Sequence, residues 1–267
     1  FYTASSAVGG GSINTGSLGN TTISGSLTVS GSITSTTGGF TGSLNGTSSW
    51  AQNIAAAGNN YEIQFNSASA FQATSSLKFN YLSQSLEQGT SVTATGNSSH
   101  AEGSGTQALG IASHAEGGIT YAAGTADHAE GYQTTASSVG WPQGGGATAA
   151  AHAEGYNTKA YGIASHAEGY ATLVSNSFSH AEGYGTIANG TASHAEGFIT
   201  TASGDYSHAA GYGTHATGSG VGQSVIGWFN EPVTGHGDFI IGNGTSNSSR
   251  SNLLHASGSL INVTGNI

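Results

Sequence analysis

The 267-residue sequence has no cysteine, two prolines and only three basic residues, Lys78, Lys159 and Arg250. Without cysteine, a disulfide framework and thiolate chemistry are both excluded. The formal net charge of −10 argues against a nucleic-acid partner, because nucleic acids bind to basic grooves. No apolar run approaches the roughly 18 residues of a membrane helix, so we expect no membrane insertion.

Charge of either sign is also scarce, since only 6% of the residues are charged, against about 25% in an average globular protein. Glycine instead occupies 45 positions. Such a composition can indicate disorder, but this chain keeps its aromatic and β-branched residues and arranges them periodically. The composition therefore predicts an ordered, β-rich, repetitive chain.

A His-Ala-x-Gly motif recurs along the chain with a period of 14 residues. One interval is 24 residues, between His128 and His152, which is one period plus a ten-residue insert. Fixed-period similarity of this kind is the signature of a repeat architecture. We call each period a rung. The eight rung histidines are His100, His114, His128, His152, His166, His180, His194 and His208.

The side chains along each rung alternate between constant small residues and variable ones. Threonine stands six residues after every histidine, and alanine stands eight residues after seven of the eight. Glycine is commonest at ten residues and alanine at twelve, whereas the residues between them vary freely. Because strand residues alternate faces, this pattern predicts an all-β coil of two short strands around a narrow lumen.

In the Ser-His-Ala-Glu-Gly strand the same alternation places serine, alanine and glycine inside and histidine and glutamate outside. The residue after the glycine is aromatic in most rungs, and we expect it to mark a bend and to stack on its neighbours. A lumen of alanine, glycine and threonine buries little apolar area, at about 25 cal/mol per Å². We therefore expect neighbouring chains to supply the missing burial.

The 14-residue rungs, from about Asn97 to Gly220, resemble the head domain of trimeric autotransporter adhesins, with histidine and glutamate in place of that family's valine and isoleucine. The His-Ala-Glu-Gly version also resembles repeats of bacteriophage tail fibre and appendage proteins. The segments on either side, including "FIIGNGTSNSSRSNLLHASGSLINVTGNI", resemble parts of phage fibres. The sequence departs from the adhesin pattern in showing no coiled-coil heptads and no membrane-barrel strands.

This resemblance implies a homotrimeric, left-handed parallel β-roll with a structural or adhesive role and no enzymatic activity. As a virion tail fibre, the chain would bind other tail proteins and a host surface glycan or protein receptor. A bacterial cell-surface adhesin head is the alternative. A glycan-degrading spike is a further alternative, but it would need an isolated carboxylate pair, and the acids outside the repeated motif are scattered.

Composition and pattern divide the chain into four parts. Residues 1–57 are predicted to form an N-terminal β shaft and residues 58–96 a β connector. Residues 97–220 are the β-roll, with an insert near residues 138–148. Residues 221–267 are predicted to form a C-terminal β cap.

In the adhesin family the corresponding face packs towards the trimer axis, so the resemblance places the rung histidines and glutamates there. We call these residues the His–Glu ladder; its glutamates are Glu102, Glu116, Glu130, Glu154, Glu168, Glu182 and Glu196. Since a buried charge needs a partner, our hypothesis is a cyclic network of three histidines and three glutamates at each level, which fixes the register between chains.

Three other interpretations of the ladder stay open. Three imidazoles on an axis could hold a transition metal, although we expect no cofactor. A general acid–base pair is disfavoured because a catalytic site is not repeated, and the ladder could also be a solvated outer face.

In the insert, Trp141 is a candidate receptor contact, the alternative being that it packs against a neighbouring chain.

Overall fold

The computed structural model describes residues 60–67, 70–138, 150–217 and 221–264. Every helix or strand in these residues is a β-strand, and none of them forms a helix that could cross a membrane. Parallel coils of about 14 residues stack into a β-solenoid of about 10 turns, which confirms the predicted fold class. The predicted shaft over 1–57 and Trp141 lie outside the described residues.

The first of two sheets contains 15 strands and carries the His-Ala-Glu-Gly motif. Its strands are β1 (Glu62–Ser67), β2 (Ala70–Asn80), β3 (Ser85–Thr90), β5 (His100–Ser104), β7 (His114–Gly118), β9 (His128–Tyr132), β11 (His152–Tyr156), β13 (His166–Tyr170), β15 (His180–Tyr184), β17 (His194–Phe198), β19 (His208–Tyr212), β21 (Ser224–Trp228), β22 (Phe239–Asn243), β23 (Asn252–Ser257) and β24 (Leu260–Val263).

The second sheet has nine strands of only two residues each. They are β4 (Thr93–Ala94), β6 (Gln107–Ala108), β8 (Tyr121–Ala122), β10 (Thr135–Ala136), β12 (Lys159–Ala160), β14 (Leu173–Val174), β16 (Ile187–Ala188), β18 (Thr201–Ala202) and β20 (His215–Ala216). Each full rung contributes one strand to each of the two sheets, which agrees with the predicted coil of two strands.

Successive rungs are in register, so that each residue pairs with its counterpart one period later. His152 aligns with His166, and the two flanking glutamates align in the same way. The insert does not interrupt this stack, because His128 aligns with His152 and its amide donates to the carbonyl of Ala151 at 2.9 Å. Identical side chains therefore repeat at roughly the 4.8 Å spacing between strands.

The lumen of the coil is filled by alanine and threonine. Ala153, Thr158 and Ala160 are all fully buried, as are their counterparts in the other rungs. Val174 replaces the alanine of the second sheet in one rung and is equally buried. The inward positions predicted for these residues are confirmed.

Residues twelve positions after each histidine were also predicted to face inwards, and this prediction was wrong. Ala112 and Ala164 are exposed, with φ angles of 53° and 49°. The chain turns through the left-handed region there, so alternation ends and the side chain leaves the coil. A second left-handed residue precedes the threonine, as at Asn157 with φ 54°. Each coil thus turns at two such corners.

The glycine of the motif was predicted to lie inside and is instead exposed at the sheet surface. In β13, Gly169 has a φ of 102°, and a Cβ atom there would lie 2.3 Å from the carbonyl oxygen of Gly183. Glycine is therefore required by the conformation and by the close approach of the next rung, and not by the width of the lumen.

The parallel stack extends past the predicted 97–220 boundaries at both ends. At the first end β3 pairs with β5 and sets Glu87 at an inward position, where it accepts from the amide of Ala94 and lies 3.5 Å from Lys78. At the other end Val225 and Ile240 occupy the inward column. Larger residues thus replace alanine in the inward column at both ends, where strand pairing continues without the histidine motif.

Candidate functional site

The His–Glu ladder lies on the outer face of the first sheet, as the alternation predicted. Histidine and glutamate flank the buried alanine of each strand, so both side chains leave the coil on the same side. About a third of each side chain is exposed, for example 35% of His166 and 32% of Glu168. Within one chain the ladder is therefore a continuous half-exposed surface.

The eight ladder histidines form one unbroken stack along the chain. Neighbouring ring centroids are 4.7 to 5.1 Å apart, and the rings are close to parallel. The stack crosses the insert without a break, since the rings of His128 and His152 are 4.8 Å apart. Stacking follows directly from in-register parallel pairing.

Histidine and glutamate lie close to each other but are not hydrogen-bonded. The Nε2 atom of His128 is 3.7 Å from a carboxylate oxygen of Glu130 and 3.8 Å from one of Glu116, in the preceding rung. The corresponding distances at His166 are 3.8 and 3.9 Å. The Nε2 atoms of all eight ladder histidines are buried and have no hydrogen-bond partner.

The glutamates form a column of acidic side chains one rung apart. Among the described residues no lysine or arginine pairs with a ladder glutamate, and Lys78 pairs with Glu87 instead. Hydrogen bonds to Glu130 and Glu168, followed by burial, raise the pKa of Glu154 to about 7. The same sharing lowers the pKa of Glu130 and of Glu168. Neighbouring carboxylates thus hold protons between them.

Four ladder histidines are biased towards the neutral form, namely His114, His152, His180 and His194. Burial is the main cause that lowers the pKa of His152, and the flanking imidazoles His166 and His128 lower it further. The pKa of His180 is lowered by burial and by its two neighbours in the same way. Burial and neighbouring imidazoles therefore favour the uncharged form of these histidines.

A groove of about 670 Å³ runs along the glutamate side of the ladder. Its walls are the five glutamates from Glu130 to Glu196 and five exposed glycines, Gly155, Gly169, Gly183, Gly197 and Gly211. Because those glycines have no side chains, the carboxylates border open space over several rungs. Ions and polar groups can approach them along this whole length.

The predicted aromatic column is confirmed at the end of the same strands. The rings of Tyr156 and Tyr170 are 5.0 Å apart, and those of Tyr170 and Tyr184 are 4.9 Å apart. Each of these tyrosines is more than 40% exposed. The column displays ring edges to the surroundings, since the ring faces cover one another.

Several groups of ladder residues could hold a metal ion. In each, three ligand atoms from two successive rungs lie within 4.8 Å of one another. Three groups contain two histidines and one glutamate, and two contain one histidine and two glutamates. The groups are His128/Glu130/His152, His152/Glu154/His166, His166/Glu168/His180, Glu102/His114/Glu116 and Glu182/His194/Glu196.

Sequence reasoning missed the role of Asp127. This buried residue takes the place of the serine that precedes the histidine in most rungs. Its carboxylate accepts from the amides of Gly124, Ser138 and Ala151 at 2.6, 3.0 and 2.9 Å, and from the Ser138 hydroxyl. Asp127 therefore joins the two ends of the insert, and its departure from the serine pattern was the available signal.

The sequence also gave no reason to expect that ladder residues would contact each other along a single chain. The proposed network between chains, the axial position of the ladder and the receptor role of Trp141 stay predictions. Comparison with family models, with characterised proteins and with solved structures gives no match for this chain.

Proposed function

We propose that this chain is a non-enzymatic segment of a homotrimeric fibre of a phage tail that presents surface for attachment to the host. The observation that carries the proposal is an inversion of ordinary burial. The coil interior holds mainly alanine and threonine, while the contiguous stack of Tyr156, Tyr170 and Tyr184 is 42%, 45% and 45% exposed. A monomeric protein exposes few large apolar patches, so other chains are the natural cover.

The uniformity of the ladder supports an assembly of identical chains. Seven of the eight rungs carry both histidine and glutamate on the outer face of the first sheet, and the last carries His208 and Ala210. The outer residues of the second sheet instead include Lys159, Leu173 and Ile187. A symmetry axis offers the same environment at every rung, because each level meets two copies of itself. Ten steps of roughly 4.8 Å give this solenoid a length of about 48 Å, which suits a fibre.

The repetition also supports a structural role in preference to catalysis. Seven of the eight rungs carry the same histidine and glutamate, whereas a general acid–base reaction needs one site with a distinct acid and base. In this proposal the partners are two further copies of the chain, other tail proteins and a host surface glycan or protein.

The oligomeric mass of the chain under native conditions tests the proposal. We expect three copies, measured by native mass spectrometry or sedimentation equilibrium. A stable, folded monomer would contradict the fibre assignment, and oligosaccharide released from host capsule would contradict the absence of enzymatic activity.

The double substitution His180→Val with Glu182→Ile tests whether the ladder fixes the register between chains. Since the chain has no cysteine, a spin label can be attached at Gln107→Cys alone. When the three copies are in register, the three labels are equivalent and give one interchain distance. We expect that distance to broaden in the double variant and to stay sharp in the control Ile187→Thr, which alters the second sheet. If the distance and the Tm are both unchanged in the double variant, the ladder does not fix the register between chains.

A further inference from the structure

We propose that the His–Glu ladder binds divalent transition-metal ions such as Zn²⁺, each held by three side chains from two successive rungs of one chain. This inference does not rest on the proposed fibre function, because every ligand group belongs to a single chain. It also differs from an ion on a trimer axis, which would need one imidazole from each of three chains.

The spacing of the ligand atoms is the first support. The Nε2 atom of His166 lies 3.8 Å from a carboxylate oxygen of Glu168. This is longer than the 2.7–3.2 Å of a hydrogen bond, but close to the separation of two ligands on a tetrahedral zinc ion, about 3.4 Å for bonds of roughly 2.1 Å. An ion between the two atoms would thus need only a small side-chain adjustment.

The unpartnered imidazole nitrogens are the second and independent support. The Nε2 atoms of His128, His152, His166 and His180 are buried and have no hydrogen-bond partner. A buried polar atom without a partner is costly, and a metal ion satisfies the neutral imidazole lone pair directly.

The charge of the site is the third support. In the described part of the chain no lysine or arginine pairs with the carboxyl groups that line the groove. A divalent cation would displace the protons that neighbouring carboxyl groups share and offset their negative charge. Two imidazoles and one carboxylate are borderline ligands that suit Zn²⁺, Ni²⁺ or Cu²⁺ better than Mg²⁺ or Ca²⁺, which take oxygen ligands.

The overlap between groups sets the stoichiometry. The group His152/Glu154/His166 shares its histidines with both of its neighbours, while the other four groups share no residue. Those four are Glu102/His114/Glu116, His128/Glu130/His152, His166/Glu168/His180 and Glu182/His194/Glu196. The groups found in the described residues can therefore hold at most four ions at one time.

Titration of the metal-free full-length chain with ZnCl₂ by calorimetry at pH 7.5 tests this proposal, with NiCl₂ as a second ion and MgCl₂ and CaCl₂ as comparisons. We expect saturation near four zinc ions per chain, a rise in Tm and no comparable binding of Mg²⁺ or Ca²⁺. Binding should weaken below about pH 6, because protonated imidazole cannot ligate a metal.

Two variants and one control decide between the ladder and other sites. The quadruple variant H114Q/H152Q/H166Q/H194Q removes a histidine from every group, so metal binding should be lost. The control H236Q alters an exposed histidine outside the ladder and should keep all four ions. Circular dichroism checks that the quadruple variant folds. If it does not, H166Q alone should lower the stoichiometry from four to three.

Zinc binding that is absent in the wild type, or that is unchanged in the folded quadruple variant or in H166Q, would overturn the proposal. Equal binding of Ca²⁺ and Zn²⁺ would also overturn it, since a carboxylate column alone would then account for the affinity. The oligomeric mass is measured separately in the presence of EDTA, so failure of the metal proposal leaves the fibre proposal untouched.

Discussion

The inner and outer columns of the same strands obey different constraints. Ala167 is fully buried in the lumen, while His166 and Glu168 on either side of it each expose about a third of their side chains. The inner column is set by the space within the coil. The outer column is not, because the second sheet encloses the same lumen with outer residues as different as Lys159 and Ile187. The constancy of the ladder therefore has a cause other than the width of the lumen.

The largest expected effect is on the backbone that holds the rungs together. Gly169→Ala places a Cβ atom 2.3 Å from the carbonyl oxygen of Gly183 at a φ of 102°, so either the rung or its neighbour must move. We expect a loss of at least about 3 kcal/mol in the free energy of unfolding, measured by chemical denaturation followed by circular dichroism.

Gly185→Ala is the matched control, since Gly185 also has a positive φ, of 62°, but its added Cβ would lie 3.6 Å from the nearest atom, in Ile199. Only the left-handed strain remains there, about 1 kcal/mol. An equal loss of unfolding free energy in the two variants would show that backbone strain alone requires the glycine of the motif. The close approach of the next rung would then play no part.

A smaller effect is expected where the insert leaves the coil. Asp127→Ser restores the commonest residue of that position but cannot reach all the donors that Asp127 now satisfies at Ser138 and Ala151. We expect a loss of about 2 kcal/mol, measured by the same denaturation experiment. Asp205→Ser, at an exposed corner where the carboxylate accepts from the amide of Thr191, should cost about 0.5 kcal/mol. Similar costs for both would contradict a clamping role for Asp127.

The smallest effect belongs to the outer column and depends on pH. The pKa of Glu154 is raised to about 7, so the folded chain holds this proton more tightly than the unfolded chain. The resulting stabilisation is complete below the ordinary glutamate value of about 4.5 and is lost as pH rises through about 7. Glu154→Gln, which does not titrate, should be more stable than the wild type at pH 8 and equal to it at pH 4.

The gain at pH 8 should stay below about 1 kcal/mol, because a carboxyl that is a third exposed is screened by water. Thermal unfolding in EDTA at both pH values measures it, with Glu231→Gln outside the ladder as the control. A difference that is the same at pH 4 and pH 8 would contradict the sharing of protons between neighbouring glutamates.

Regular alternation made much of the coil predictable. The 14-residue period predicted the length of one rung. The constant threonine and alanine predicted inward positions, and Thr158 and Ala160 are buried there. Prediction failed where alternation stops, at Ala164 and at Gly169, since a left-handed residue redirects the side chain and periodicity carries no information on φ. The clamp of Asp127 joins residues 24 apart in sequence, which local patterns do not reveal.

The sequence by itself determined that this protein is a stack of similar coils with small residues inside and histidine and glutamate outside. Both the 14-residue period and the two-residue alternation can be read from the order of the residues. Only the tertiary structure decided how the ladder residues meet. In-register pairing sets each imidazole on the next and leaves its Nε2 atom beside a carboxylate without a hydrogen bond. That spacing depends on the distance between strands and on rotamers, which the order of the residues does not specify.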